Sequence, residues 1–445
     1  MNGRIQTTTA VGGRKAALAF IYVTIVLDTL GFGITIPVLP RLIVSFAGDT
    51  AQGAEIFGLF VTIWSLLQFL FSPLIGALSD RFGRRPVLIL SSFGLGVDYM
   101  VMALAPNLAW LLLGRILSGI TASSYATAAA YVADVTPVER RAAAFGMVGA
   151  AWGIGFILGP AVGGVVGAFG VRLPFWAAAA FSLVSATYAV FVLPESLVRE
   201  NRGRFSLRRA NPVGSLTLLR SHPDLFGLAS VNFIQFLAFQ VLPSVYVIYA
   251  GYRYGWGPVE VGVSLAVVGA LNITVQGGLV KRFIKRFGER NALITGLIAG
   301  AAAFVVWGLA PTPDVFLLAI VVFAPIGFVQ PALQSLMTRR VRPSEQGQLQ
   351  GANASIAGLT GVIGPILFTL VFAWFISANA PATIPGMPFF VAAVLMLGSL
   401  AVAFRVTRAA AAEAAAAGVA PGCGRRQLDD NPGSVVLAES ALRSS

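Results

Sequence analysis

Residues 76–86 read Gly76-Ala77-Leu78-Ser79-Asp80-Arg81-Phe82-Gly83-Arg84-Arg85-Pro86, a short charged loop between long apolar runs at 56–78 and 87–105. A helix that crosses a bilayer needs about 20 residues, so each flanking run is long enough to span. Gly83 lets the chain turn without a Cβ penalty, and Arg81, Arg84 and Arg85 hold the loop on one side of the membrane. Asp80 is the odd residue. An acid at the end of a span can accept charge-assisted bonds from arginines or from a helix N-terminus elsewhere in the molecule. It therefore predicts a latch that breaks when that side opens, or else an ordinary surface ion pair.

Outward from this loop, further apolar windows lie at 16–38, 108–131, 143–168, 173–193, 224–250, 259–280, 291–310, 314–337, 348–376 and 384–404, which makes twelve spans. Composition agrees: 57% of the 445 residues are hydrophobic and 11% charged, with a mean hydropathy of +0.81. Soluble domains carry about 25% charge, so a water-soluble enzyme and a disordered chain are both excluded. The expected fold is an all-α integral membrane protein of twelve transmembrane helices in two six-helix bundles.

The formal charge of +13 could suggest a nucleic-acid partner, but its placement argues otherwise. With the N-terminus inside, 27 of the 31 Lys and Arg fall in inner loops and termini, three (Arg41, Arg172, Arg253) fall outside and one (Arg115) within a span. By the positive-inside rule both termini are expected in the cytoplasm, in a cell (inner) membrane protein with the lipid bilayer as its solvent. No nucleic-acid partner is expected. The basic N-terminus could imitate a signal peptide, yet Asp28 interrupts the apolar run and no small-residue cleavage pattern follows, so a retained first span is expected. Cys423 and His222 are the sole residues of their kinds, so no metal site and no cofactor are expected.

Arg81-Phe82-Gly83-Arg84-Arg85 recurs as Arg286-Phe287-Gly288-Glu289-Arg290, Gly159-Pro160 recurs as Gly364-Pro365, and Gly146 recurs as Gly351, all at one offset of 205. Three coincidences at one spacing indicate duplication of a six-span unit, an architecture in which transporters bind substrate at the midplane between the halves. The divisions expected are an N-terminal bundle 1–198, a central cytoplasmic loop 199–222, a C-terminal bundle 223–408 and a flexible cytoplasmic tail 409–445.

Asp28, Asp98 and Arg115 fall well inside spans. Each costs about 2.5–3.5 kcal/mol to insert, so the three together demand roughly 8–10 kcal/mol of compensation from partners or water. At about 1.5 Å per residue all three are expected at nearly one depth. Asp98 and Arg115 form either a structural ion pair between spans three and four or part of a proton and substrate site. Asp28 has no cation in its own span and is the better proton carrier. Asp98, balanced against Arg115, is the better substrate or relay group, with Tyr99 beside it.

In the second half, Asn232, Gln235 and Phe239 share one face of span seven, Asn272 and Gln276 one face of span eight, and Gln330 and Gln334 one face of span ten. These amides are expected either to line a cavity, together with Phe236, Trp64, Gln68 and Phe69, or to join helices by hydrogen bonds. Span five carries Gly155, Gly159 and Gly163 at intervals of four, with Pro160 and Gly164. Such a stripe lets a neighbouring helix approach closely, and Pro160 kinks the span.

Taken together, these motifs resemble the major facilitator superfamily. Gly76 to Leu88 is similar to its loop 2–3 motif, Arg115-Ile-Leu-Ser-Gly119 to its fourth-span motif, and Gly155 to Gly164 to the fifth-span motif of drug–proton antiporters. Asp28 through Pro40 (DTLGFGITIPVLP), Asp98-Tyr99, Tyr131-Val-Ala-Asp134, Pro331-Ala-Leu-Gln334 and Gly361-Val-Ile-Gly364-Pro365 resemble the tetracycline exporter branch. The resemblance implies proton-coupled efflux of an amphipathic drug by alternating access, not an enzyme, with Asp28, Asp98 and Arg115 handling protons or substrate and Asp80 and Arg84 gating. The expected partners are a small-molecule drug, free or as a metal chelate, and protons, and the expected working unit is a monomer. Proton-coupled movement of a small metabolite by the same fold is the alternative. The chain departs from that branch in span nine, where an acid is usual and this chain has Gly300 or its neighbours, and at Asn272, where some members carry histidine. Both departures bear on the particular substrate more than on efflux.

Overall fold

The computed structural model describes residues 3–122, 124–137, 140–197, 200, 202, 223–342 and 345–416, and among these it is helical with no strand. The central loop expected at 199–222, save residues 200 and 202, and residues 417–445 of the expected tail lie outside the described residues. Residues 409–416 continue the last helix, Met387–Ala416.

Among the described residues, ten helical stretches are long and apolar enough to cross a membrane. One of them, Pro258–Leu309, leaves helical geometry at Gly288 (φ 80, ψ 165) and so supplies spans eight and nine. The shorter apolar helix Leu108–Thr121 is prolonged by Ser124–Val135 as span four. Twelve spans result, matching the twelve apolar windows. Span one is Gly3–Thr35 with a short outer helix Leu39–Ala47, span two Thr50–Phe82 and span three Arg84–Leu104. Span five is Arg141–Phe169 and span six Leu173–Val192. Span seven is Pro223–Phe239 continued by Val241–Tyr254; span ten runs from Pro313 to Thr338, span eleven is Gln346–Ile376 and span twelve is Met387–Ala416.

The duplication is visible in the backbone. Every described residue with positive φ is a glycine, and the four form two pairs: Gly83 with Gly288 in the loops after spans two and eight, and Gly48 with Gly255 after spans one and seven. Only glycine takes such angles without strain, so the two halves share their turning points. Spans one and seven are also interrupted at equivalent places, at 36–38 and at Gln240. Span two packs along span eleven, and span five along span eight, so each half offers the other the same two edges.

The two ends of this interface differ. At the end away from loop 76–86, Gly164 and Gly262 meet backbone to backbone, with a Cβ on Gly164 only 3.1 Å from Gly262 Cα. Gly167 abuts Pro258, Gly58 abuts Thr369, and Arg41 donates a hydrogen bond to the Trp256 carbonyl of the other half. Thr62 Oγ1 donates to the Val362 carbonyl at 3.2 Å. Toward the loop end the same faces separate: Gly153 approaches only Ile273, at 3.8 Å, and a Cβ on Gly146, Gly149, Gly277 or Gly278 would meet nothing within 4 Å. The molecule is sealed at the far end and splayed at the arginine-rich end.

Candidate functional site

Helix packing brings the charges of the first half into two stations rather than one depth. Asp28 accepts a hydrogen bond from Ser92 Oγ of span three at 3.0 Å and keeps partial access to the surface. Asp98 lies six residues further along span three, about 9 Å at the helical rise, and is 0% exposed. Both of its carboxylate oxygens lack a hydrogen-bond partner. Gly114 of span four explains how Asp98 fits, since a Cβ there would lie 3.0 Å from Asp98 Oδ1. Gly114 was not anticipated from the sequence. A glycine directly before the one charged residue of Leu108–Thr121 was the available signal.

Arg115 is 4% exposed and forms no ion pair within 4 Å of Asp98, so the simple salt bridge weighed above is not made. Instead its guanidinium lies 5.0 Å from the Trp64 ring centre, an arrangement that stabilises a desolvated cation. Trp64 is pinned by donating from Nε1 to Ser118 Oγ at 3.2 Å and by stacking on Phe32 at 5.6 Å. The phenol of Tyr99 is buried within the electrostatic reach of Asp98, Arg115 and Asp28 alike.

Trp64 divides two cavities. On its far side a chamber of about 310 Å³ is walled by Phe32, Phe156, Phe239, Tyr246 and Trp307, with Arg115 as the only charged side chain among the described residues that line it. Both interrupted spans contribute, through Thr35, Leu39 and Pro40 on one side and Leu242 and Pro243 on the other. Broken helices at matching places in two halves are a recurring way to build a transport site. Toward the loop end a crevice of about 580 Å³ runs between spans two and eleven, lined by Gln68, Ser72, Gln240 and Ser355. Gln240 was missed because it falls one residue beyond the Asn232–Gln235–Phe239 face. Span eleven admits it through Gly361 and Gly364.

The amides of the second half fall into two groups. Gln330 Nε2 donates to Asn232 Oδ1 (3.0 Å) and Gln235 Oε1 (2.9 Å), Asn232 to Asn353 Oδ1 (3.1 Å), and Asn353 to Gln334 Oε1 (3.1 Å). This chain ties spans seven, ten and eleven, with Gln330 remaining exposed. Asn353, its link, was not singled out from the sequence. Gln276 donates to Asn272 at 2.8 Å, both exposed, where span eight widens into the π-turn Val275–Leu279 beside the 3₁₀ turn Ala324–Phe328 of span ten. Phe236 packs into the hydrophobic core and lines neither cavity, in which Phe239 stands instead. Gly300 is packed against Ile326 and Met396.

At the loop, Arg84 is the hub. It pairs with Asp80 at 2.5 Å and with Asp134 of span four at 3.2 Å, and donates to Ser79 Oγ at 2.6 Å. Glu195 caps the start of span three by accepting from Arg84 N at 2.9 Å, and Arg85 reaches the Val190 carbonyl at 2.5 Å. Asp80 thus binds within its own half and makes no cross-half latch in this state. Arg81 lies over the neighbouring Phe82 ring at 5.2 Å, and Gly76 faces open space. The repeat carries the same device with its signs exchanged. Glu289 stands where Arg84 does and Arg339 where Asp134 does, and the two form an ion pair with Ser335 donating to Glu289 at 2.9 Å. In span five, Gly155, Gly159 and Gly163 seat span one rather than the other half, against Thr29, Gly33 and Ile34, whereas Pro160 and Gly164 meet span eight.

The model of the Major Facilitator Superfamily matches residues 21–365. The chain belongs to the Major Facilitator Superfamily. This superfamily member is a multi-pass membrane transporter and not an enzyme. It is 38% identical over 381 residues to the tetracycline resistance protein, class C, of Escherichia coli, covering 86% of this chain and 94% of that protein. It is likewise 38% identical to the class E protein of Escherichia coli over 354 residues, 79% of this chain and 86% of that one. Among solved structures it is similar to the human organic anion transporter MFSD10 (TETRAN), at 25% identity and a TM-score of 0.65, covering 88% of this chain and 99% of that one.

Proposed function

We propose that the protein exports an amphipathic drug, tetracycline being the first candidate, in exchange for protons across the cytoplasmic (inner) membrane. The carrying observation is the pair of acidic stations, Asp98 buried and Asp28 partly buried, beside an aromatic chamber in a molecule that opens at one end only. The arginine-rich end is assigned to the cytoplasm, with both termini inside, so the state described faces inward. The working unit is a single chain built from bundles 1–198 and 223–408, joined by 199–222 and followed by a tail at 409–445. Identity to the tetracycline resistance proteins supports this substrate class.

In the proposed cycle, drug passes from the crevice beside Gln68 to the chamber behind Trp64. The splayed ends of spans five and eight then close, the Gly164–Gly262 seal parts, and a proton taken from outside replaces the drug. Each inward proton supplies about 2.3 kcal/mol per 100 mV of membrane potential. Drug and proton must also bind the two states with different affinity, or no population shifts. Inside-out vesicles with an acidified lumen test the exchange: tetracycline, free or with magnesium, should release luminal protons. No release in vesicles that contain the protein would sink the antiport reading.

A further inference from the structure

Among the described residues, the chamber behind Trp64 offers hydrogen-bond donors and no acidic group. Arg115 enters it from span four, nine-tenths buried, with Nε unpartnered. Tyr246 enters it from span seven, also buried, and its hydroxyl lies beside Ser264 without a full hydrogen bond. Asp98, the nearest acid to Arg115 in electrostatic terms, is not among the lining residues. The rest of the wall is aromatic or aliphatic except for Thr35. A buried guanidinium whose Nε has no hydrogen-bond partner is only partly compensated by the Trp64 face, and what relieves the remaining cost best is a charge-assisted bond to an oxyanion. Its planar fork on the face of Trp64 suits a flat anion with its charge spread over two oxygens.

The geometry points to an oxyanion subsite: the exported drug carries a delocalised anionic oxygen pair that binds Arg115 and Tyr246, while its flat apolar body lies against Trp64 and Phe32. This rests on the efflux reading of the same cavity and narrows its substrate class to planar amphipathic anions or zwitterions. It also divides labour between the acids. With Arg115 given to the drug, the proton exchanged belongs to Asp28, which hydrogen-bonds Ser92 and keeps partial access.

The test uses the full chain in lipid nanodiscs and two probes of one shape, 2-naphthoate and its uncharged analogue 2-naphthamide, with empty nanodiscs subtracted. The naphthoate should bind at least about tenfold more tightly, as expected for a charge-assisted contact in an apolar site. Arg115→Gln should erase that preference, and Arg115→Lys should narrow it, since an ammonium keeps the charge but not the fork. Tyr246→Phe should weaken the naphthoate several-fold and the amide less. Equal binding of the two probes by the unaltered protein, or a preference untouched by Arg115→Gln, overturns the subsite. If Arg115→Gln does not fold, Arg115→Lys and Tyr246→Phe decide, and an unchanged preference in both overturns it. Tetracycline efflux measured on the unaltered protein separates the two readings. Charge preference without efflux sinks the export proposal alone, and efflux without charge preference sinks the subsite alone.

Discussion

Single residues in this protein are held by contacts that a linear reading only partly exposes. Asp28, Asp98 and Arg115 stand out because charge in a spanning helix is expensive, and all three are buried or partly buried in the first half. Their partners were less legible. Ser92, Gly114 and Ser118 are common residues of apolar helices, and only the helix crossings give them a role. Asp28→Asn removes the carboxyl proposed to exchange the proton but preserves the shape, so efflux should fall to background while membrane expression persists. Drug accumulation in intact cells reads this, and retained efflux would move the proton site elsewhere. Gly83 combines a φ of 108° with a Cβ direction that points into Glu195. Gly83→Ala should therefore cost about 1–3 kcal/mol and lower the melting temperature of the purified protein. An unchanged melting curve would show that the loop relaxes freely.

At the level of elements, the same span serves two neighbours with different faces. The Gly155, Gly159 and Gly163 stripe of span five fits span one within the half, while Gly164 and Gly167 seal span eight across the interface. The spacing of four announced close packing, but not against which helix. Gly164→Leu would drive a side chain into the Pro258 carbonyl and Gly262, an overpacking worth about 1–3 kcal/mol. Transport should drop several-fold, whereas Gly149→Ala, whose Cβ meets nothing, should behave as the unaltered protein. Comparison of the two in the same cells is the measurement, and equal activity would show that the far-end seal does not depend on this contact. Spans one, seven, eight and ten are each interrupted, those of one and seven beside the cavities. Hydropathy windows run straight through such breaks because the flanking residues remain apolar.

For the molecule as a whole, the asymmetry between a sealed end and a splayed end defines one state of a cycle. Gly149 and Gly277 lie on the facing surfaces of spans five and eight where these have separated. Spin labels at Gly149→Cys and Gly277→Cys, with Cys423 replaced by serine, should report a long distance for this state. A shorter one should be populated when acid or drug favours closure. One invariant distance under every condition would exclude alternating access at this interface. The exchanged signs of the Arg84–Asp134 and Glu289–Arg339 pairs place opposite charges at equivalent positions of the two loops.

The sequence by itself determined the number of spans, the duplication and the transporter class. Apolar length, basic loops and a repeated Gly-Pro spacing are local quantities, each dictated by the bilayer or by backbone geometry. Tertiary structure alone decided that Arg115 rests on Trp64 rather than on Asp98, that Asn353 links the amides, that Asp80 pairs within its own half, and which end is open. Such pairings depend on the rotation and crossing of helices that are distant in the chain. A difference of one residue in helix rotation turns a side chain by about 100°, enough to move it from cavity to lipid.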